Sequence, residues 1–319
     1  MAFCFHIIYI PGTVKPLQLL LHSLLQWSDC TFCLVANGCA ATEQRALQQL
    51  CAGNSRLAYK VLATAQVMLH GEALDILQGQ NQTDYFCFMD SDIYAIAEFL
   101  PTFLPLVTRY TGLFSGMPLR HPPTGLVLPE ATAFMAGPYT HTPAQLCLGT
   151  TFFAIYNNRT ITEVRRETGI GFRKYRWAEI PAPYQMQLQA MGLQYQIYDT
   201  AKLLNLVLHW HGHALHYQPC PALRHIEAVS RFAVIQQHAW WRQLRALGGR
   251  WRRKLTGQKV EPSYAAALPY LSQVLLALAN GQPLPPQPTL AGAESDAWVA
   301  QTKEELLALH AEFSKQPLS

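Results

Sequence analysis

A chain of 319 residues, half of them hydrophobic and 14% charged, can bury a sizeable core, which excludes global disorder and suits one large domain with or without an appendage. No apolar run reaches the roughly 18 residues that a membrane-spanning helix needs, and no secretory signal is visible at the start. The formal net charge is a modest +4, but residues 228–260 hold no acidic residue beside Arg231, Arg242, Arg245, Arg250, Arg252, Arg253, Lys254 and Lys259.

Residues 3–10 form a first apolar strand, broken by Pro11-Gly12, and leucines at helical spacing over 17–27 predict an amphipathic helix. A second strand, 31–36, ends in the turn residues Asn37-Gly38, and 42–51 is helical with Thr42 as its cap. Residues 57–62 make a short third strand and 70–79 a helix. Cys30 and Cys33 form a CxxC with no second pair. An offset of three along a strand places the two thiols on opposite faces, so buried, reduced, inert cysteines are expected. With eight cysteines in so long a chain and no leader, the expected compartment is the cytoplasm.

Then comes Tyr85-Phe86-Cys87-Phe88-Met89-Asp90-Ser91-Asp92. The apolar run reads as a strand buried on both faces, and the carboxylates stand where it leaves the sheet, the edge at which open α/β sheets bind ligands. Two carboxylates held close are costly unless a cation joins them, and hard divalent ions take one or two carboxylates plus substrate phosphates. The alternative is an Asp-Ser-Asp turn capping a helix over 93–100. Strands alternating with helices of about ten residues predict a parallel sheet covered on both faces.

The alternation loosens after residue 100. Residues 112–119 and 151–156 read as strands, separated by a Pro- and Gly-rich stretch, 120–149, that carries His121, Glu130, Tyr139 and His141. A helix within 179–192 opens on Pro181 and Pro183 and ends at Gly192, and 193–199 reads as a late strand. A histidine-rich run follows (His209, His211, His213, His216, His225). Two amphipathic helices, 268–279 and 302–313, flank a proline-rich linker, 282–288.

These features in this order resemble the GT-A nucleotide-sugar glycosyltransferases of the family-2-like group. Val35-Ala36-Asn37-Gly38-Cys39 is similar to the family's V-D-N-G-S. His70-Gly71-Glu72-Ala73-Leu74-Asp75 takes the place of its G-x-A-x-N helix start, fifteen residues before Asp90. Leu148-Gly149-Thr150-Thr151-Phe152-Phe153 resembles the Gly-then-aromatic strand after the acceptor loop. Trp177-Ala178-Glu179 resembles the acidic residue before the L-x-x-x-G helix. The likeness covers about residues 3–230. Ala36 and Asn37 replace the Asp that contacts base or ribose, and Asp75 replaces the helix-start Asn.

The resemblance implies a GT-A fold: a Rossmann-like, mostly parallel central sheet with helices on both faces, plus a helical C-terminal extension. It divides the chain into a domain over 1–230 (nucleotide-binding half 1–100, acceptor half 101–230) and a basic, helical extension over 231–319. It implies transfer of a sugar from a nucleoside-diphosphate sugar to the hydroxyl of a glycan or lipid-linked acceptor, with inversion and with Mn²⁺ or Mg²⁺, as in polysaccharide biosynthesis. It gives the donor to Pro11, Asn37, His70, Asp75, Asp90, Ser91 and Asp92, and the metal to Asp90, Asp92 and His225, with His211 as the other candidate. Glu179 becomes the general base, and Tyr139 and His141 acceptor contacts. Two rivals stay open: a nucleotidyltransferase acting on sugar phosphates, and a non-catalytic binding protein on a degenerate GT-A fold. Tryptophans interleaved with arginines over 238–254 suit peripheral contact with an anionic membrane, or a helix packed on the catalytic domain. No recognised nucleic-acid motif accompanies them, and no nucleic-acid partner is expected.

Overall fold

Each of the first strands alternates its side chains between two apolar environments, and that alternation builds the molecule. The computed structural model describes residues 3–64, 66–119, 126–128, 136–137, 139–227, 229, 262–290 and 293–314. Strands β1 (Cys4–Tyr9), β2 (Thr31–Asn37) and β3 (Leu57–Leu62) are each followed by a helix: α1 (Val14–Gln26), α2 (Ala41–Gly53) and α3 (His70–Gly79). Next come β4 (Tyr85–Met89), β5 (Ile93–Ala95), β6 (Gly112–Ser115), β7 (Phe153–Asn157) and α4 (Asn158–Thr168). The remaining elements are β8 (Tyr175–Arg176), α5 (Ala182–Ala190), β9 (Ile197–Tyr198), α6 (Lys202–Trp210), β10 (Leu215–Tyr217), β11 (Leu223–His225), α7 (Pro262–Asn280) and α8 (Ala293–Phe313).

The central sheet has seven strands in the order β10-β6-β7-β4-β1-β2-β3. All neighbours run parallel except β7, which is antiparallel to both β4 and β6. The expected α/β architecture, with a mostly parallel sheet covered on both faces, is the one observed. Phe32, Leu34 and Ala36 of β2 join one core while Cys33 and Val35 join the other; β4 splits Cys87 and Met89 from Phe86 and Phe88 in the same way. The first core takes in α1 and both C-terminal helices, the second α3, α4 and α6.

Leu271, Val274 and Leu275 of α7 and Val299 and Leu306 of α8 are fully buried in the core that holds Leu17, Leu20 and Leu24 of α1. Each such side chain contributes about 1.5–3 kcal/mol on burial. The C-terminal pair is therefore packed on the N-terminal half rather than tethered to it. Among the described residues no helix is long and apolar enough to cross a membrane.

Cys30 and Cys33 are buried, unbridged and on opposite sides of the sheet. Burial pushes their thiols up to about 11 and about 12 respectively, well above the range in which a thiolate forms at neutral pH.

Three expectations change. Residues 93–100 do not form a helix: Ile93–Ala95 is a fully buried strand whose backbone pairs with β11, and only a 3₁₀ turn follows at Leu100–Thr102. The late strand over 193–199 shrinks to the two residues of β9, which pair with β8 outside the main sheet. Helices α4 and α6 add two elements that the sequence reading does not predict. Helix α4 carries its own signals, since Asn157 accepts from the Thr160 amide at its start and Gly169, at φ 70°, closes it. His121, Glu130 and the basic segment from residue 230 to 261 lie outside the described residues.

Helix α3 sits against the backbone of residues 171–173. Asp75 accepts from the Phe172 and Arg173 amides at 2.8 and 3.1 Å, and Arg165 pairs with it at 2.8 Å. The approach depends on Gly71, where an added Cβ would stand 2.5 Å from the Phe172 carbonyl oxygen and 2.7 Å from the Arg173 Cα. Alanine gains up to about 1 kcal/mol of helix propensity over glycine, whereas a forced clash with backbone costs about 1–3 kcal/mol. At 2.5 Å the clash wins, so Gly71→Ala is expected to lower stability by about 2 kcal/mol. A urea midpoint at or above that of the wild type would show that the contact is slack.

Candidate active site

The chain leaves β1 toward β2 and β3 on one side, and returns through β4 on the other. That reversal opens a crevice at the carboxyl ends of β1 and β4, where such sheets take their ligands. A cleft of about 400 Å³ lies there, lined by Ile8, Ile10, Asn37, the 67–70 segment and Met89 through Asp92. Asp90 and Asp92 stand at its end because β4 stops at Met89 and the chain turns sharply. The Asp90 amide donates to the Phe152 carbonyl at 2.7 Å, and the Asp90 carbonyl accepts from Ile93 at 3.3 Å.

His225 reaches the two carboxylates from β11, which pairs antiparallel with β5 in a separate two-stranded ribbon. Its Nε2 lies 3.1 Å from Asp92 Oδ1 and 3.7 Å from Asp90 Oδ2. Each of the three residues offers a ligand atom, and these atoms lie within 4.8 Å of one another. Asp92 and His225 are buried, while the Asp90 side chain keeps 29% of its surface open. The other oxygen of Asp92 accepts from the Val229 amide at 3.0 Å, and the Phe152 ring covers His225 at 4.4 Å between centroids.

The electrostatics follow from this packing. The partly enclosed setting, joined by the neighbouring Asp92 carboxylate, pushes Asp90 above the usual carboxylate range. Burial also works against ionised Asp92, but the His225 charge and hydrogen bond and the Val229 amide hold it below the usual carboxylate range. For His225 burial opposes the charged form, and the Asp92 carboxylate prevails and raises it. His70, on the first turn of α3 with Nε2 3.9 Å from Asp90, is pushed down to about 4 by burial and so faces the cleft as a neutral ring.

Two carboxylate oxygens and one imidazole nitrogen, with Asp90 still open to the cleft, suit a six-coordinate ion that keeps positions for outside oxygens. The donor set fits Mn²⁺ well and Mg²⁺ less well, because magnesium favours oxygen alone. Nδ1 of His225 is buried with no hydrogen-bond partner among the described residues, so the ring is oriented from Nε2, which donates to the Asp92 carboxylate and would give up that proton to an ion.

The other residues singled out in the sequence fall in different places. Asn37 lines the cleft, but its amide is engaged at both ends, donating to the Met68 carbonyl at 2.9 Å and accepting from the Met68 amide at 2.8 Å. It anchors the cleft wall, and Gly38 at φ 68° lets that wall approach, since a Cβ there would meet the Val67 amide at 2.9 Å. Ser91 is buried in the cleft lining. Pro11 follows Ile10 in the turn after β1, and the Asp75 carboxylate is occupied by Phe172, Arg173 and Arg165.

His211 ends α6 with Nδ1 3.9 Å from Glu167 and is not part of the Asp90–Asp92–His225 group. Glu179 accepts from the Arg176 amide at 2.8 Å, capping its own 3₁₀ turn, and lies 3.7 Å from Arg173. The Tyr139 carbonyl accepts from buried Lys202 at 2.7 Å. His141 bonds Thr140 and packs edge-on against Tyr217; neither His141 nor Tyr139 lines the cleft. Sequence reasoning overlooked Val229, Met68 and the ring of Phe152 as parts of this site. The first two act through backbone atoms, which leave no trace in residue type.

No protein-family model matches the sequence, and no curated protein matches it in sequence. In structure the chain is similar to the bifunctional glycosyltransferase WbbM in its apo form (12% identity, TM-score 0.38, 62% of this chain and 45% of that one). It is similar to the apo form of the glycosyltransferase GlyE of Streptococcus pneumoniae TIGR4 (9% identity, TM-score 0.42, 100% and 64%). It is also similar to the mannosyltransferase PcManGT of Pyrobaculum calidifontis in complex with GDP-Man and Mn²⁺ (12% identity, TM-score 0.42, 97% and 73%). The chain thus spans about half the length of WbbM and under two thirds of GlyE.

Proposed function

We propose that this chain is a divalent-metal-dependent glycosyltransferase that moves a sugar from a nucleoside-diphosphate sugar to an acceptor hydroxyl, on a glycan or a lipid-linked saccharide, with inversion. The observation that carries this reading is the Asp90–Asp92–His225 group at the mouth of a cleft placed where the sheet order reverses. When bound there, Mn²⁺ or Mg²⁺ would neutralise the diphosphate as it departs.

The chain's own residues would divide the remaining work. Asp90, open to the cleft, and buried Asp92 and His225 would hold the ion. The apolar wall from Val67 to Leu69, with Val67 and Leu69 exposed, gives a base or ribose a surface to lie against, while neutral His70 offers hydrogen bonding without charge. Glu179 is proposed to take the proton of the acceptor hydroxyl.

The nucleotidyltransferase reading fares worse on one point. It calls for a phosphate-cradling loop after β1, whereas the Gly12 amide of that turn already donates to the Glu43 carboxylate at 2.6 Å. The test is a thermal-shift screen of nucleoside diphosphates and their sugars with and without Mn²⁺. A ligand that binds only the native state at a hundred times its Kd adds about 2.7 kcal/mol of stability. At least one nucleotide should raise the melting temperature only when Mn²⁺ is present. The reading fails if none does.

A further inference from the structure

The ribbon that brings Asp92 and His225 together is small. Strands β5 and β11 have three residues each and pair only with one another, apart from a single bridge between Pro118 and His225. Two-stranded ribbons are marginal by themselves. A metal-binding constellation nevertheless needs its ligands held within about 0.5 Å. Something outside the ribbon must hold it.

Besides the core that buries β5 and the Ser23 hydroxyl of α1, which accepts from the Ala95 amide at 3.0 Å, a carboxylate on α8 reaches both strands. Glu305 Oε2 accepts from the Tyr94 hydroxyl at 2.5 Å, and its Oε1 lies 3.5 Å from Arg224 Nε. Tyr94 and Arg224 are direct partners in the β5–β11 ladder, and the adjoining rung pairs Ile93 with His225. One carboxylate therefore spans both strands, one rung from His225 and two residues from Asp92. All three partners are largely enclosed: Tyr94 is buried, and the Arg224 and Glu305 side chains keep 21% and 19% of their surface. Without Glu305 the Arg224 charge would lose the only ion pair it makes among the described residues, and the Tyr94 hydroxyl its acceptor. Gln301, one turn earlier on α8, donates to Glu305 Oε1 at 3.0 Å and steadies the carboxylate.

We propose that Glu305 is a positioning residue for the metal-ligand group: by clamping Tyr94 to Arg224 it sets the separation of Asp92 and His225. This proposal rests on the metal-dependent reading above. It makes the C-terminal helix a working part of the site, about 210 residues along the chain from the carboxylates it serves.

The test is a titration of the full chain with Mn²⁺, following free aqueous Mn²⁺ by electron paramagnetic resonance, beside a thermal melt of each protein without metal. Loss of an outer partner typically weakens a metal site about 10–100-fold. Glu305→Ala is expected to weaken Mn²⁺ binding by about tenfold or more and Glu305→Gln by less, since an amide oxygen can still accept from Tyr94. Tyr94→Phe, which removes only the hydroxyl, should weaken it in the same direction. Glu312→Gln, which alters an exposed contact of the same helix with Gln26, should bind as the wild type does. In ¹⁵N-labelled protein the His225 ring signals should move in the Glu305 and Tyr94 variants and stay in place in Glu312→Gln. Should Glu305→Ala fail to fold, Glu305→Gln and Tyr94→Phe decide. Wild-type affinity and unmoved His225 signals in the Glu305 and Tyr94 variants would overturn the proposal while leaving the metal reading intact. A wild-type chain that bound no Mn²⁺ would remove both.

Discussion

Asp92→Asn is expected to abolish transfer, weaken Mn²⁺ binding by about 100-fold or more, and cost about 3 kcal/mol of stability. Asp92 holds two positions at once. One oxygen faces His225 Nε2 at 3.1 Å and the other takes the Val229 amide at 3.0 Å, all of it out of contact with solvent. An amide keeps the shape but turns one of those oxygens into a donor, which in one orientation meets the donating Val229 amide and in the other requires His225 Nε2 to give up its proton. It also removes the carboxylate charge that raises His225, and breaking one side of a buried ion pair typically costs about 3–5 kcal/mol. Calorimetric Mn²⁺ titration and urea denaturation would measure the two effects separately. An Asp92→Asn protein that bound Mn²⁺ like the wild type would place the metal elsewhere.

The second large effect is expected at Glu179. If this carboxylate accepts the acceptor's proton, Glu179→Gln should lower kcat by about 10²–10⁴-fold with donor KM nearly unchanged. The swap separates two roles that the geometry leaves side by side. As the cap of its own turn, Glu179 only has to accept from the Arg176 amide, and the glutamine carbonyl oxygen does that equally well. As a base it has to bind a proton, which an amide does not do. Stability should therefore barely move while turnover collapses. Unchanged turnover would leave Glu179 as a cap and Arg173 partner, and the base would have to be sought elsewhere.

The parts of this fold most legible in sequence are those whose signal is local. The apolar runs of β1, β2 and β4 and the leucine spacing of α1 announce strands and a helix because each element buries what its own period dictates. Asp90 and Asp92 are readable for the same reason: their position at the end of a buried strand is a local fact. The partner strand of Ile93–Ala95 is not local. It comes some 130 residues later, so a three-residue strand looked like the start of a helix. Asp75 shows a different limit. Its place in the chain suggests a donor contact, and what occupies its carboxylate is the backbone of residues 172 and 173, brought within reach by glycines at 71 and 171. A glycine in a sequence says that space is needed and not what fills it. Helix α6 buries Leu203, Leu204, Leu206, Val207 and Leu208 within its 9 residues, a run too short and too apolar for periodicity to separate helix from strand.

The shared core of α1, α7 and α8 bears on how the polypeptide reaches this shape. Leu20 and Leu24 emerge in synthesis long before their partners Leu271, Val274 and Leu306. Contacts so far apart in the chain are slow to form, and apolar surface left waiting for them invites aggregation. Helix α1 is thus covered only once α7 and α8 have been made, and a nascent chain stalled near residue 230 would present that uncovered surface to chaperones.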